Sequence, residues 1–312
     1  MFSMSHQEET MQKFAITTDM TADMPEGFFA DNGVDVAFMP FALDGVDIEP
    51  DTIPTHHEFY DKLRAGAVPS TSQTSAYEAI QIFEKHLQAG EDVLHISFSS
   101  GMSGSFDNIS NAATELCRKY RDRKILVLDS LSGCGGEGLM VYYALKMRDE
   151  GKTIEEVYNW LNDNRMNFHH FFIVEDLNTL YRSGRLSRIE AAVGTILGIK
   201  PLLELNHYGK IMPLLKVMGK KKALTAIAEQ VEKYCKPELN DFILVEHGDD
   251  IEGAKVLAQK IMEIFPQVTI RYCNVNYLVG SHAGPGALAV FFFGAERPRF
   301  INVPIPNLKG TK

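Results

Sequence analysis

Two stretches of the chain concentrate hydroxyl side chains in a way that suits anion binding. Residues 97–105 hold five serines and two glycines, and residues 70–75 hold five further serines and threonines. Hydroxyl groups and the N–H groups at a helix start hold carboxylates and phosphates well. Serine and glycine are also common in ordinary turns, so the two stretches are informative only together. The candidate anion ligands are Thr71, Ser72, Ser100, Ser103 and Gly104.

These stretches lack the sequence patterns of two common enzyme classes. A phosphate-binding loop of the P-loop type needs a lysine beside its glycines, and neither stretch contains one. Ser103 lies in G-M-S-G, one residue short of the G-x-S-x-G pattern of serine hydrolases. No spacing of acidic residues and histidines suggests a metal site. A hydrolase or acyltransferase that uses Ser103 or Ser100 with His282 stays open as an alternative, as does a protein-interaction or sensor module.

Two basic residues lie where they can face the hydroxyl stretches. His282 lies in a loop before a Gly-Pro-Gly turn and the last apolar strand, and Arg185 follows Gly184 just before a predicted helix. A loop histidine can change its charge near neutral pH, or it can simply brace the turn. Arg185 can compensate the charge of a buried anion, or it can form a surface ion pair of little energetic value.

The rest of the sequence predicts the elements that position these residues. In the first half, four short apolar strands alternate with helices, and polar residues follow the strand ends. That alternation predicts a parallel sheet with the site along its carboxyl edge. The second half adds an antiparallel hairpin at residues 199–217 and further strand–helix alternation, which favour a mixed sheet. We therefore expect a two-domain α/β fold, with an N-terminal domain at residues 13–165 and a C-terminal domain at residues 166–312.

A helix predicted at residues 189–198 is nearly all small or aliphatic. Such a helix usually packs in a core. Its small residues can instead leave room for a long apolar ligand, because ligand pockets are largely apolar with a few polar anchors. The residues alone therefore support a two-domain α/β protein that binds a small anion. The side chains that would line an apolar ligand are Ile189, Val193, Ile196 and Leu197.

Composition and charge argue against several other functions. The 312 residues carry a net charge of −10, which is unfavourable for binding nucleic acid or an anionic membrane. The apolar runs are too short for an integral membrane segment, and the first dozen residues do not resemble a signal peptide. The four cysteines show no paired spacing. We therefore expect neither a disulfide framework nor a zinc site, and a cytoplasmic location.

One concentrated positive patch interrupts this acidic chain. It consists of Lys216, Lys220, Lys221 and Lys222, near the end of the predicted hairpin. Positive patches steer acidic protein partners, although a lysine cluster can also be a solubilising face. We predict that Lys216, Lys220 and Lys221 belong to a docking surface for a partner protein.

Six motif regions, taken in order, resemble the DegV family of bacterial fatty-acid-binding proteins. They cover nearly the whole chain from Ile16, and six in the same order are far more specific than one. The chain departs from the family pattern at Thr74, where proline is usual, at Ser105, where threonine is usual, and at Ser183, where glycine is usual. The motifs are I-T-T-D-M-T-A-D-M-P from Ile16, S-T-S-Q-T-S from Ser70, S-S-G-M-S-G-S from Ser99, L-D-S from Leu128, S-G-R-L-S from Ser183 with G-I-K-P-L-L from Gly198, and H-A-G-P-G-A from His282.

The resemblance implies a two-domain protein that holds one long-chain fatty acid between its domains. The carboxylate would lie on the hydroxyl groups of Thr71 and the 97–105 stretch, with Arg185 and His282 close by, and the acyl chain would enter the second domain. The resemblance implies a carrier rather than an enzyme, with no cofactor. Members of the family present the carboxyl group to a separate ATP-dependent fatty acid kinase, which makes an acyl-phosphate for lipid synthesis.

Overall fold

The computed structural model of the chain describes residues 14–187 and 199–298. No helix in this part of the chain is long and apolar enough to cross a membrane. The strands, in chain order, are β1 (Phe14–Asp19), β2 (Asp35–Ala37), β3 (Phe41–Leu43), β4 (Val46–Ile48), β5 (Pro69–Thr71), β6 (Asp92–Ser97), β7 (Ile125–Asp129), β8 (Phe168–Ile173), β9 (Ile199–Leu205), β10 (Ile211–Met218), β11 (Ile243–His247), β12 (Ile270–Asn274) and β13 (Leu288–Phe293). The helices are α1 (Phe28–Asp31), α2 (His56–Arg64), α3 (Ala76–Gln88), α4 (Ser105–Lys119), α5 (Gly135–Asp149), α6 (Ile154–Asn164), α7 (Leu177–Arg182), α8 (Lys220–Tyr234), α9 (Ile251–Ile264) and α10 (Tyr277–Ala283).

The first sheet is parallel, as the alternation of strands and helices predicts, with the strand order β2-β1-β6-β7. Successive residues of β6 point to opposite faces, and both faces are buried. Val93 packs against α3 and α4, while Leu94 packs in a core with α5 and α6. Because the carboxyl ends of parallel strands share one edge, the turns after β1, β6 and β7 all lie at that edge. The 97–105 stretch follows β6 there.

The second sheet is mixed, with the strand order β10-β9-β8-β13-β11-β12. The predicted hairpin is its β9–β10 edge, which confirms that part of the prediction. Along β13, Ala289 and Phe291 join the core that contains α5, whereas Leu288 and Val290 join the core formed with α8 and α9. Helices α5 and α6 therefore form a layer between the two sheets, and α8 and α9 cover the far side.

The core between the sheets is continuous. It contains Leu139 of α5 together with Ile16 of the parallel sheet and Leu244 of the mixed sheet. Close packing of α5 requires glycine, because a Cβ on Gly138 would lie 2.0 Å from the carbonyl oxygen of Asp23. The expected domain boundary falls on a short 3₁₀ turn between α6 and β8. The division of the chain into two domains stays a prediction.

A small antiparallel sheet, with the strand order β4-β3-β5, is predicted only in part. The sequence favours a strand over residues 34–43 that enters a hairpin turn at Asp44-Gly45, and a loop over residues 68–75. The hairpin is confirmed, since Leu43 of β3 pairs with Val46 of β4. The first region instead forms β2 and β3, separated around Pro40, which has no N–H group for a sheet ladder. The second region begins with β5, and Phe41 pairs with Thr71. This small sheet fixes the position of Thr71.

Candidate functional site

Seven residues expected at the anion site line a single cavity of about 520 Å³. Its walls come from the turn after β6, the end of β5, and the helices α7 and α10. The residues are distant in sequence, since Thr71 and His282 lie 211 positions apart. The structure thus brings the candidates together, while their roles as ligands stay a prediction. They are Thr71, Ser72, Ser100, Ser103, Gly104, Arg185 and His282.

A buried carboxylate that the sequence analysis did not single out holds the two hydroxyl stretches in place. Asp19, the last residue of β1, accepts hydrogen bonds from the hydroxyl groups of Ser97 (2.9 Å) and Thr74 (3.0 Å) and from the backbone N–H of Phe98 (2.8 Å). Burial raises the pKa of Asp19, but His95 and these hydrogen bonds outweigh it, and the net pKa lies below its ordinary value. Asp19 therefore stays charged. An aspartate at the carboxyl end of a predicted strand was the available signal.

Ser105 links the two hydroxyl stretches directly. Its hydroxyl oxygen accepts from the backbone N–H of Thr74 (3.0 Å) and pairs with the hydroxyl of Ser103 (2.9 Å). Thr74 and Ser105 are two departures from the family pattern, and they contact each other. A proline at position 74 would have no N–H group to donate, so the two departures form one local unit.

Ser100 lines the cavity with its hydroxyl already engaged. That hydroxyl donates to the carboxylate of Asp129 (2.6 Å), and the Ser100 backbone N–H donates to the same carboxylate (3.1 Å). The side chain is also exposed. Ser103, which is half-buried and bonded only to a neighbouring serine, is better placed than Ser100 to donate to an anion.

His282 lies in the last turn of α10, so its predicted position in a loop is wrong. The side chain of Asn276 caps this helix by accepting from the Val279 N–H (2.8 Å), and the helix ends at Gly284, whose φ is 76°. The imidazole Nε2 lies 2.9 Å from the Thr71 hydroxyl oxygen. Burial and the nearby positive charge of Arg185 lower the pKa of His282 to about 4. His282 is therefore neutral at pH 7 and acts through hydrogen bonds.

Arg185 supplies the positive charge of the cavity. Helix α7 ends in a turn at Gly184, whose φ is 76°, and the guanidinium of Arg185 donates to the Ser183 carbonyl. Burial lowers the pKa of Arg185, but a guanidinium is too basic to lose its proton at neutral pH. Among the described residues that line the cavity, Arg185 is the one permanent cation, and Asp107 is the one acidic residue.

An apolar cavity of about 70 Å³ lies next to the polar cavity. The acyl-chain lining was expected on Ile189, Val193, Ile196 and Leu197, which lie outside the described residues. Among the described residues, many of the wall residues lie on strands, and sequence reasoning missed those because their alternation is that of ordinary core strands. Both cavities are lined by Phe98, Met102, Leu180, Ile211 and Val279. Further apolar wall residues are Phe172, Leu205, Val275, Ala283, Ala287, Leu288, Ala289 and Phe291.

The lysine patch is less positive than its sequence suggests. Lys220, in the first turn of α8, donates to the carboxylates of Asp250 (2.6 Å) and Glu175 (3.3 Å). Burial lowers the pKa of Lys220, but these two carboxylates outweigh that effect and the net pKa is raised. Lys221 is exposed and Lys216 is half-buried. A docking role stays a prediction, and it now depends mainly on Lys216 and Lys221.

Neither Ser100 nor Ser103 forms a nucleophile–base pair with His282. Such a pair needs the serine hydroxyl within hydrogen-bonding reach of the histidine. The Nε2 atom of His282 pairs with Thr71, while Ser103 pairs with Ser105 and Ser100 donates to Asp129. The hydrolase alternative therefore has no support in this geometry.

The chain is an α/β protein with two sheets around a helical layer. A polar cavity next to an apolar one makes a site that suits a small amphiphilic ligand. Residues 13–295 match the family model described as "Uncharacterised protein, DegV family". The chain belongs to the DegV family, as its motifs indicate.

Known relatives span almost the same length. A DegV domain-containing protein of Clostridium perfringens is 37% identical over 286 residues, which cover 91% of this chain and 98% of the relative. A solved DegV family protein from Thermus thermophilus, described by its fatty acid binding, is 26% identical with a TM-score of 0.80, covering 91% of this chain and 100% of that one. A fatty acid binding DegV family protein from Streptococcus agalactiae is 29% identical with a TM-score of 0.79, covering 92% and 100%. The predicted α/β fold class, with a parallel and a mixed sheet, is confirmed.

Proposed function

We propose that this chain is a carrier for one long-chain fatty acid. The observation that carries the proposal is the pair of adjoining cavities, because a polar cavity with hydroxyl groups, a neutral imidazole and a guanidinium shares five wall residues with an apolar cavity. A carboxylate on a long hydrocarbon chain matches both parts. The solved relatives from T. thermophilus and S. agalactiae, both described as binding fatty acids, support the same ligand class.

The carboxylate lies at the mouth of the cavity on the hydroxyl groups of Thr71 and Ser103, next to Gly104. Arg185 supplies the counter-charge that a partly buried carboxylate needs. If the neutral imidazole of His282 donates from Nε2 to Thr71, the Thr71 hydroxyl proton is free to donate to the carboxylate. Each such hydrogen bond to a charged group is worth about 1.5–3 kcal/mol.

The hydrocarbon chain supplies most of the affinity. A chain of about fourteen methylene groups contributes roughly 11 kcal/mol when it leaves water. Association costs at least about 4 kcal/mol in lost freedom. At this lower bound of the cost, the tail alone supports binding in the micromolar range, and the head-group contacts tighten and orient the complex.

The bound carboxylate is presented to a separate ATP-dependent fatty acid kinase in the cytoplasm. In the transfer step a carboxylate oxygen bonds to the γ-phosphorus of ATP and ADP leaves, which gives an acyl-phosphate for lipid synthesis. Thr71, Arg185 and His282 also line a neighbouring groove of about 810 Å³, which supports access from outside. Arg185 holds the attacking oxygen in position, His282 does so through Thr71, and Lys216 and Lys221 contribute to the docking surface.

Native mass spectrometry of the protein as purified tests the carrier function. We expect a bound mass that corresponds to a fatty acid, which lipid extraction then identifies. After removal of lipid, palmitate should bind one molecule per chain, and ATP with a fatty acid kinase should convert it to acyl-phosphate. A protein that carries no lipid and binds no palmitate would contradict the proposal. Turnover of simple esters by the purified chain would favour the hydrolase alternative.

A further inference from the structure

The wall of the apolar cavity contains two buried polar side chains with unpaired atoms. Glu246, on β11, is fully buried, and neither of its carboxyl oxygens has a hydrogen-bond partner among the described residues. The same holds for the Nδ1 atom of His170 on β8, whose Nε2 contacts the Ser132 hydroxyl. Both residues line the apolar cavity. A buried polar group left unpaired costs about 1–3 kcal/mol, so this wall has unmet hydrogen-bonding capacity.

The surroundings of Glu246 keep it uncharged. Burial raises the pKa of Glu246, and the adjacent acid Asp23 raises it further. Asp23 is itself engaged, since its carboxylate accepts from the backbone N–H (3.2 Å) and the side-chain amide (2.9 Å) of Asn276. The Gly135 N–H, the Cys273 thiol and the Asp23 carboxyl group lie close enough to the Glu246 carboxyl group to shift its pKa, but no described group forms a hydrogen bond with either of its oxygens. Glu246 is therefore a neutral carboxylic acid, with one donor and one acceptor.

His170 is neutral for the same physical reason. It is 2% exposed, and burial lowers its pKa well below the ordinary value. With one ring nitrogen in contact with Ser132, the unpaired Nδ1 offers one further hydrogen bond. The remaining wall is made of aliphatic, aromatic and small side chains, together with the thiol of Cys134. Two neutral hydrogen-bonding groups in such a wall suit a neutral polar substituent on an otherwise apolar ligand.

We propose that Glu246 and His170 recognise a hydroxyl group on the hydrocarbon chain, so that the protein accepts hydroxylated fatty acids. This inference rests on the proposed fatty-acid binding and adds the substrate class. A hydroxyl can accept from the Glu246 carboxyl and donate to its carbonyl oxygen or to the Nδ1 of His170. In a wholly apolar wall the same hydroxyl would lose its water without replacement. The hydroxyl must lie away from the carboxylate, because the mouth and the apolar cavity hold opposite parts of the ligand.

A displacement titration on the delipidated full-length chain tests this. The ligands are palmitate and its isomers with a hydroxyl at the second carbon, at mid-chain or at the terminal carbon. Wild type should bind a mid-chain or terminal isomer at least as tightly as palmitate. In E246L the affinity for that isomer, divided by the affinity for palmitate, should be about tenfold lower than in wild type, because the hydroxyl is left unpaired. The matched variant E246Q retains a donor and an acceptor and should behave like wild type.

The outcomes separate this inference from the carrier function. If palmitate does not bind wild type, the carrier function fails. If palmitate binds but every hydroxyl weakens binding equally in wild type and E246L, only the hydroxyl recognition is overturned. Should E246L not fold, H170F replaces one ring by another and should show a similar relative loss. A divalent ion retained by the purified protein would also overturn the inference, since Asp23, Cys134 and Glu246 have possible ligand atoms within 4.8 Å of one another.

Discussion

Replacing Asp19 by asparagine should destabilise the protein by about 2–3 kcal/mol at pH 7. Asp19 is fully buried and accepts hydrogen bonds from Ser97, Phe98 and Thr74. A hydrogen bond to a charged group contributes about 1 kcal/mol more to stability than a neutral one. Because D19N makes three such bonds neutral, the unfolding free energy should fall by about 3 kcal/mol. The neutral amide is easier to bury, which offsets part of that loss. The same change should loosen both hydroxyl stretches and weaken ligand binding.

Urea unfolding, followed by the fluorescence of Trp160, measures the effect of D19N. The folded pKa of Asp19 lies below its ordinary value, so the carboxylate stabilises the fold above about pH 4. That contribution is lost as the pH falls through the folded pKa. The difference in unfolding free energy between wild type and D19N should therefore shrink below about pH 4.

Asp129 provides a matched control for this prediction. It accepts hydrogen bonds from the N–H and hydroxyl groups of Ser100 and from the N–H of Leu131, yet it is only half-buried. Water can replace those bonds, so D129N should cost less than about 1 kcal/mol. Equal losses in D19N and D129N, or a D19N loss that is the same at pH 7 and pH 3, would refute the reasoning.

The remaining predictions concern the mouth and the docking surface. The Thr71→Val change should weaken palmitate binding about tenfold, whereas Ser72→Ala, at its exposed neighbour, should change it less than about threefold; equal effects in a displacement titration would contradict the head-group assignment. The His282→Ala protein should stay folded and lipid-loaded but be a poor substrate in a reconstituted kinase assay, and unimpaired turnover would leave His282 only a bracing role. The Lys221→Glu change should slow association with the kinase at low salt without altering lipid content. The Lys255→Glu change on α9 serves as its control, and the docking assignment falls if both variants associate at the same rate.

Features with a strong local signal were predictable from the sequence. The apolar run Val93–Ile96 and the helical pattern that begins at Phe106 predict β6 and α4 close to their observed bounds. The capping residues Thr55 and Ser75 both accept a hydrogen bond from a backbone N–H of the following helix. Ser100, Ser103 and Gly104 were found for a similar reason, because residues that follow a parallel strand must lie at the carboxyl edge of its sheet.

Features that depend on distant contacts were not predictable. Nothing in the sequence around Phe41 shows that it pairs with Thr71. The helix that contains His282 has only seven residues and includes a glycine and a serine, so its sequence resembles a turn. Lys220 forms an ion pair with Asp250, 30 positions away, and no local pattern reveals that its charge is compensated. Side chains of β8 and β13 that border the apolar cavity alternate like those of any buried strand.

The position of α5 limits how this protein can be taken apart or recombined. A fragment that stops at Asn164 would leave Leu139 and its neighbours without the side chains of the mixed sheet, such as Leu244 and Phe291. A fragment that starts at Phe168 would lack the helix that covers one face of its own sheet. Chimeras of two family members joined between α6 and β8 should therefore fold poorly unless both parents contribute matched surfaces to this interface. The residues that contact α5 have to change together during evolution, even though more than a hundred positions of sequence separate some of them.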